Sequence, residues 1–310
     1  MKNTASKPGI ITRYRNSMKA QQMTVTAVFM LVPVVLLFMF TYLPFFKMIQ
    51  FSFYDMKYIG ERKWVGLQNY KDVFTRKDCF DALKLSLYYM VGSVVQLSLA
   101  LLFATLLTGK TKLRNFFRGS IYFPCLVGGI AVGFIFKFFF THGFILDSIL
   151  GAVGFDMDSL PSWLKDTRIN NWVLVATSVW RYMGQNMVLF IGALASVDST
   201  MYEAADIDGA NAWHKFRYIT FPSIKTIIIL NLILAVSGSL SAFEMPYVIT
   251  GGGFGTSTFF VLMNKLAHTN QKVGLASAMS VVLLTLILLV TALQKWAEKR
   301  MDGGSTKKRR

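Results

Sequence analysis

Polar side chains recur at helical spacing inside an apolar stretch of the chain, residues 172–196. Ser178, Arg181, Tyr182 and Gln185 follow spacings of three and four, so a helix would place them on one face. A charge at the centre of a bilayer costs at least about 2.5 to 3.5 kcal/mol on insertion scales, so these side chains are expected to face protein or water. Their hydroxyl and amide groups could satisfy the hydroxyl groups of a solute. A structural reading stays open, in which Arg181 pairs with an acid or reaches the membrane surface.

A second segment whose residue types could have a function is a polar island, Tyr202 to Pro222, which reads YEAADIDGANAWHKFRYITFP. Both flanking stretches are apolar enough to cross a bilayer, so the island must return to water. Its first part contains good helix formers, Gly209 breaks them, and Pro222 is expected to stop the second part. The pattern predicts two short helices joined at a glycine elbow, with an apolar face suited to docking. The alternative is an amphipathic helix lying on lipid.

The elements that position both segments are predicted to be membrane helices. Hydrophobic residues make up 54% of the 310 residues, a share that excludes a soluble globular domain. A spanning helix needs roughly 20 predominantly apolar residues, whereas the strands of a membrane barrel would alternate with period two. The stretches that satisfy the helix condition are residues 24–46, 85–108, 120–141, 172–196, 223–243 and 275–296. The sequence therefore predicts an all-α membrane protein with six transmembrane helices.

The same stretches divide the chain into three parts. Residues 1–23 form a basic N-terminus, residues 24–296 form one transmembrane domain, and residues 297–310 form a basic tail. Residues 197–222 are the loop between the fourth and fifth spans.

The net charge of +17, from 33 Lys and Arg against 16 Asp and Glu, could suggest a nucleic-acid partner. The positive residues concentrate in alternate segments between the spans, however, so they indicate membrane topology, and no nucleic-acid partner is expected. Both termini, the loop after the second span and the polar island would share one side, which the positive-inside rule makes cytoplasmic. The segment 47–84 resists the rule, since it would be external and yet holds many Lys and Arg.

Motifs for catalysis or cofactor binding are not evident in the sequence. Gly109-Lys110-Thr111 mimics the end of a phosphate-binding loop, but Ala104 stands where that motif needs Gly. The glycines at 251–253 are better explained as an external turn, and the three histidines are far apart in sequence. The chain is therefore not expected to be an enzyme or to hold a cofactor or metal itself.

The polar island resembles a known family. Its E-A-A, D-G-A, Trp, Phe, Ile and closing Pro resemble the cytoplasmic coupling loop of the membrane subunits of ATP-binding-cassette importers, in particular the sugar permeases of the maltose and oligosaccharide type. Residues 65–74, 122–136 and 243–258 resemble other segments of that family, although Phe221 replaces its usual Leu. The resemblance implies a type I importer permease fold with a coupling helix between helices 4 and 5. The residues that would contact an ATPase subunit are Glu203, Ala204, Ala205, Asp208 and Gly209.

The resemblance also implies a path for the substrate. Beside the polar face of the fourth span, it places Cys125 and Gly129 on the third span and Ser239 and Ala242 on the fifth. Sugars suit such a path, because aromatic rings cover their apolar faces while amides and hydroxyls satisfy their hydroxyl groups. Arg181 hints at an acidic sugar. In the alternative, the polar face binds a partner permease, and Glu244 at the end of the fifth span is only a helix-end residue.

The partners implied by the resemblance complete the prediction. They are a second, homologous permease subunit, two cytoplasmic subunits that bind ATP and Mg²⁺, and an external solute-binding protein. The chain would lie in a bacterial inner or plasma membrane, with both termini in the cytoplasm, and would import a carbohydrate, such as an oligosaccharide, by alternating access. The rival hypotheses are a permease for a non-sugar solute, an ion-coupled secondary transporter acting alone, and a membrane-embedded enzyme.

Overall fold

This computed structural model describes residues 18–109 and 112–306 of the chain. Most of the predicted basic N-terminus and the last four residues of the predicted basic tail lie outside those ranges. Lys110 and Thr111, from the motif that mimics a phosphate-binding loop, also lie outside them.

Helices dominate the described residues, with one short antiparallel hairpin among them. The first half of the chain forms α1 Met18–Leu37, α2 Leu43–Phe51, β1 Tyr54–Met56, β2 Arg62–Trp64, α3 Gln68–Thr75, α4 Lys77–Thr108, α5 Arg114–Leu126, α6 Gly129–Phe140 and α7 Ile145–Ala152. The second half forms α8 Asn170–Ala195, α9 Ser199–Ile207, α10 Ala212–Lys215, α11 Phe221–Leu240, α12 Glu244–Thr250, α13 Phe259–Asn264 and α14 Val273–Thr306.

Four helical runs among the described residues are long and apolar enough to cross a membrane. They are Gln21–Phe51, Lys77–Thr108, Ala212–Thr250 and Val273–Arg300. The bent pair α5 and α6 gives a fifth if it counts as one span. Helix α8 has 26 residues and carries the polar face around Arg181, and it is not among these four runs. The structure thus shows a helical membrane protein with four or five apolar spans, and six spans remain a prediction.

The third predicted span, residues 120–141, is not one straight helix. Helix α5 ends at Leu126, and α6 begins at Gly129 in a direction that differs by 97°. Val127 and Gly128 between them are extended, and Gly128 and Gly129 both have poor helix propensity. The bend brings the start of α6 against α8 and α12 rather than leaving it in line with α5.

The centre of the fold is the packing of α4 along α8. Ala100 and Ala104 of α4 are fully buried and admit the larger Met187 and Phe190 of α8. Helix α11 closes this core from the side of α4, and α5 packs on α8. At Gly184 of α8 the contact is so close that a Cβ atom would overlap the backbone of α5. Helix α8 is therefore held in one position by its neighbours.

The predicted external segment between the first two spans is tied to the last helix. The side-chain amide of Asn69 donates hydrogen bonds of 2.9 Å to the carbonyl oxygens of Ser52 and Tyr54. Gly274 lies so close to Tyr54 that a Cβ atom would overlap its carbonyl oxygen. These contacts attach the hairpin and α3 to the start of α14.

The first apolar run, Gln21–Phe51, differs from the other spans because none of its most apolar stretch is buried. Phe29, for example, is 76% exposed. Only the end of this run, in α2, packs closely against α14. Its apolar surface is available to lipid or to another chain.

Candidate functional site

A cavity of about 380 Å³, with both apolar and polar side chains in its lining, lies between α4, α8, α11 and the start of α12. Its volume falls within the roughly 300–1,000 Å³ that is usual for small-molecule sites. The polar side chains that line it are mostly neutral hydroxyl and amide groups: Ser93, Gln96, Ser178, Gln185, Asn186, Asn231, Ser239 and Ser241. Such groups both donate and accept hydrogen bonds, so the cavity suits a solute with many hydroxyl groups.

A charged pair lies at one end of this cavity. Nη1 of Arg181 forms an ion pair with Oε2 of Glu244 and also donates a hydrogen bond of 3.0 Å to the hydroxyl group of Tyr182. The hydroxyl group of Tyr182 in turn donates to the same carboxylate oxygen at 3.0 Å. The guanidinium carbon of Arg181 is 4.8 Å from the centre of the Tyr182 ring, which adds a cation–π contact. The pairing offsets the cost of burying a charge within the helices.

The two members of the pair differ in their access to the cavity. The side chain of Glu244 is 44% exposed and lines the cavity, whereas the side chain of Arg181 is 10% exposed and does not. Nε of Arg181 is buried and has no hydrogen-bond partner. The cavity therefore presents the carboxylate, and the guanidinium lies behind it.

Gly129 permits this arrangement. A Cβ atom at Gly129 would overlap Nη1 of Arg181 and the carboxylate of Glu244. Because glycine lacks that atom, the bend before α6 can bring the helix start directly against the pair. A helix running straight on from α5 would not reach this place.

The predicted path residues are near one another in the structure. Five of them line the cavity: Ser178, Tyr182, Gln185, Ser239 and Ala242. The other three lie behind the lining. Cys125 contacts Oε1 of Gln185 through its sulfur at 3.6 Å, while Gly129 and Arg181 touch as described above. Their proximity is shown, and their part in transport remains a prediction.

Sequence reasoning missed several lining residues. They include Glu244 and the polar residues of α4. Tyr89, Ser93 and Gln96 of α4 all line the cavity, and their spacing of four and three residues is the same signal that singled out the face of α8. Ser239 of α11 donates to Ser93 at 3.3 Å, which joins α4 to α11 beside the cavity.

The first arm of the polar island is a short capped helix. The carboxylate of Asp198 accepts a hydrogen bond of 2.9 Å from the backbone N–H of Thr200 at the start of α9. That bond lowers the pKa of Asp198 below its ordinary value. At the other end Gly209 has a positive φ of 72°, and the N–H of Ala210 donates to the carbonyl of Ala205 at 2.9 Å. This is the Schellman motif, so the predicted glycine elbow is present.

The second arm does not end at Pro222 as the sequence suggested. Asn211 caps α10 by accepting from the N–H of His214 at 2.9 Å, and helical backbone then continues through residues 216–220 into α11. A π-helical turn, Phe216–Thr220, ends two residues before Pro222. The prediction of a stop was wrong, because this wider turn relaxes the backbone before the proline, whose missing N–H is tolerated at the start of α11.

The two arms are held together, but their outer surface is free. The hydroxyl groups of Tyr202 and Thr220 lie 2.9 Å apart, and Lys215 forms an ion pair with Asp206. The predicted coupling residues Glu203, Ala204, Asp208 and Gly209 are exposed, and Ala205 is half-buried. Ile207 beside them is 88% exposed. Trp213 on the other arm is 65% exposed, so both arms present a large apolar side chain at the surface.

Metal binding finds no support in the described part of the chain, where no group of three or more His, Cys, Asp and Glu side chains could hold an ion.

Comparison with known proteins gives a consistent result. The model of the family described as "binding-protein-dependent transport system inner membrane component" matches residues 96–303. The arabinooligosaccharides transport system permease protein of Bacillus subtilis is 33% identical over 241 residues, which are 75% of this chain and 75% of that protein. The multiple sugar-binding transport system permease protein of Streptococcus mutans is 30% identical over 283 residues, 88% of this chain and 95% of that protein.

A similar fold occurs among solved structures. A chain of the bacterial alginate ABC transporter, crystallised in complex with an alginate pentasaccharide-bound periplasmic protein, aligns with a TM-score of 0.80. The alignment covers 91% of this chain and 97% of that one, at 18% identity. At that identity the match describes the fold.

Proposed function

This chain belongs to the family of binding-protein-dependent transport system inner membrane components, and we propose that it is one of two membrane subunits of an ATP-binding-cassette importer for a carbohydrate. The observation that carries the proposal is the cavity within the helical core, which is lined by neutral hydroxyl and amide groups and by aromatic rings. Its chemistry fits an oligosaccharide, and the relatives named for arabino-oligosaccharides and multiple sugars support that cargo.

The polar island is proposed to couple this path to ATP hydrolysis. Glu203, Ala204, Ala205, Asp208 and Gly209 would insert into a cleft of an ATPase subunit. The exposed surface of α9 and its fixed elbow support this role. Two such subunits would bind ATP and Mg²⁺, and their closure would move the islands of both permeases and open the path outward.

The number of spans and the other subunits of the importer are also part of the proposal. We propose six spans, with α8 as the fourth and α11 as the fifth, and both termini in the cytoplasm. A homologous permease would complete the membrane unit and cover the exposed first helix. The fold neighbour bound to a periplasmic protein supports delivery of the sugar by an external binding protein.

Reconstitution tests this function directly. The chain, its second permease, the ATPase subunits and the binding protein are placed in lipid vesicles, and uptake of radiolabelled oligosaccharides is measured with and without ATP. We expect uptake only when every subunit and ATP are present. Uptake by this chain alone, driven by an ion gradient, would instead establish a secondary transporter. ATP-driven uptake of a non-sugar solute would support the assignment as an importer subunit but contradict the carbohydrate substrate.

The coupling role has its own test in the same vesicles. Replacing both Glu203 and Gly209, by Ala and Val, should abolish hydrolysis that depends on the loaded binding protein. The helical content of the purified chain is measured alongside, to separate a loss of coupling from a loss of folding. Normal coupled hydrolysis in this variant would contradict the assignment of the island.

A further inference from the structure

We infer that the cavity selects an uncharged polyhydroxyl cargo, with the carboxylate of Glu244 accepting hydrogen bonds from cargo hydroxyl groups and Arg181 acting as the residue that positions Glu244. This inference rests on the proposed carbohydrate import and specifies its substrate class. It assigns a cargo-binding role to a residue that the sequence left as a possible helix end.

The sign of the charge at the cavity is the first argument. Among the described residues that line the cavity, Glu244 is the only one with a charged side chain, and that charge is negative. A cargo carboxylate entering this space would approach a fixed carboxylate. The Arg181 charge lies behind that carboxylate, so at contact distance a cargo anion would meet the negative member of the pair first.

The second argument is that Arg181 does not line the cavity, so it does not present its charge to an anionic cargo. Its Nη1 already donates to Glu244 and to Tyr182, and Nε is buried. Tight recognition of a carboxylate by arginine usually uses a bidentate fork of two parallel N–H groups. The backbone at Gly129 also lies against the pair and occupies one approach to the guanidinium. The geometry therefore favours a neutral sugar over the acidic sugar that Arg181 suggested in the sequence.

The third argument is the complementarity of the remaining lining to a neutral sugar. The exposed carboxylate of Glu244 can accept only, and the hydroxyl groups of a sugar can donate to it. Gln96, Asn186 and Asn231 offer both donors and acceptors around the same space. Tyr182 and Phe243 add aromatic rings to the lining, and these can cover the apolar faces of sugar rings.

The test compares neutral oligosaccharides with oligouronates of the same length in vesicles that contain the complete importer. The affinity of the binding protein for each probe is measured first, so that delivery and passage are separated. We expect ATP-dependent uptake of neutral probes, with no uptake of oligouronates even when the binding protein captures them. Oligouronate uptake at a rate equal to or above that of the neutral probes would overturn the inference. If no sugar of either kind enters while another solute does, the proposed function itself fails, which is a different result.

Variants assign the selectivity to Glu244. Glu244→Gln keeps the shape of the side chain but removes the charged acceptor, so we expect neutral uptake to fall roughly ten- to hundredfold while the affinity of the binding protein is unchanged. The same change leaves Arg181 unpaired, so the ratio of oligouronate to neutral uptake should rise. A merely structural role for Glu244 would lower both rates together and leave their ratio constant.

Two further variants distinguish a loss of selectivity from a folding defect. Glu244→Asp keeps the negative charge, so it should retain the preference for neutral probes even if uptake slows. Glu298→Gln makes the same chemical change in α14, at a residue that does not line the cavity, and should alter neither rate nor ratio. An unchanged ratio in Glu244→Gln, with Glu298→Gln behaving identically, would refute the role of Glu244.

Discussion

The cavity and the polar island both place polar side chains within a largely apolar protein. They differ in how far those side chains find partners within the chain. Around the cavity, Arg181, Tyr182 and Glu244 meet one another, and neighbouring helices fix α8 in place. In the island, the contacts between the arms hold its shape while Glu203 and Ile207 remain exposed. The difference teaches that contacts within this chain shape the cavity, whereas the island leaves an exposed surface that we propose another chain covers.

The largest effect is expected where the packing around the cavity is tightest. Gly184→Ala would place a Cβ atom into the backbone of Ile121 and Tyr122, so α5 and α8 would have to separate. Overpacking of this kind costs about 1–3 kcal/mol and occasionally more. We expect a clearly lower unfolding temperature of the purified chain in detergent, and a loss of solute uptake.

Gly192→Ala is the matched control for that variant, since it lies on the same helix with no atom within 4 Å of the added Cβ. It should be neutral or slightly stabilising, because alanine favours a helix over glycine. Equal unfolding temperatures for the two variants would mean that the contact between α5 and α8 does not hold the cavity wall.

A smaller effect on stability, but a specific one on coupling, is expected at the elbow of the island. Gly209→Ala forces a residue with a Cβ atom into the left-handed conformation, at a cost of roughly 1 kcal/mol. We expect the unfolding temperature to fall only slightly, while ATP hydrolysis that depends on the loaded binding protein falls in the assembled importer. If Gly209→Ala instead impaired folding as much as Gly184→Ala, the contrast between a self-contained cavity and a partner-dependent island would be lost.

The smallest expected effect is the pH dependence of the cap on α9. The backbone hydrogen bond from Thr200 lowers the pKa of Asp198. A lowered folded pKa means that the cap stabilises the helix fully above the ordinary Asp value of about 3.9, and that this stability is lost as the pH falls through the folded pKa. The measurement is amide hydrogen-exchange protection of residues 199–207, corrected for intrinsic exchange rates.

Asp198→Asn gives that measurement its control, because asparagine can cap a helix without titrating in this range. Its protection should be insensitive to acid. The same acid dependence in both proteins would show that another group controls the island.

Hydropathy was sufficient to locate most of the long helices, because burial in lipid imposes long apolar runs. The stretch predicted at 85–108 lies within α4, and the stretch at 172–196 nearly coincides with α8. Capping rules also worked locally: Gly209 forms the predicted elbow, since only a local backbone conformation is involved.

Two kinds of feature could not be predicted from the sequence. One depends on contacts between distant residues, and the other on which of two local backbone conformations is adopted. The ion pair joins residues 63 positions apart, and no spacing rule identified Glu244 as the acid that Arg181 needs. The bend of 97° after Leu126 depends on the packing of α6 against α12 as well as on its two glycines. Pro222 misled because a proline next to a π-helical turn need not end a helix.

The uninterrupted helix through Pro222 has a mechanical consequence. From Ala212 to Leu240 the backbone forms one rod, with Trp213 of the island near one end and Ser239 of the cavity wall near the other. At about 1.5 Å per residue the rod is roughly 40 Å long. Because no loop separates the two ends, we expect a displacement on the side of the island to be transmitted along this helix to one wall of the cavity.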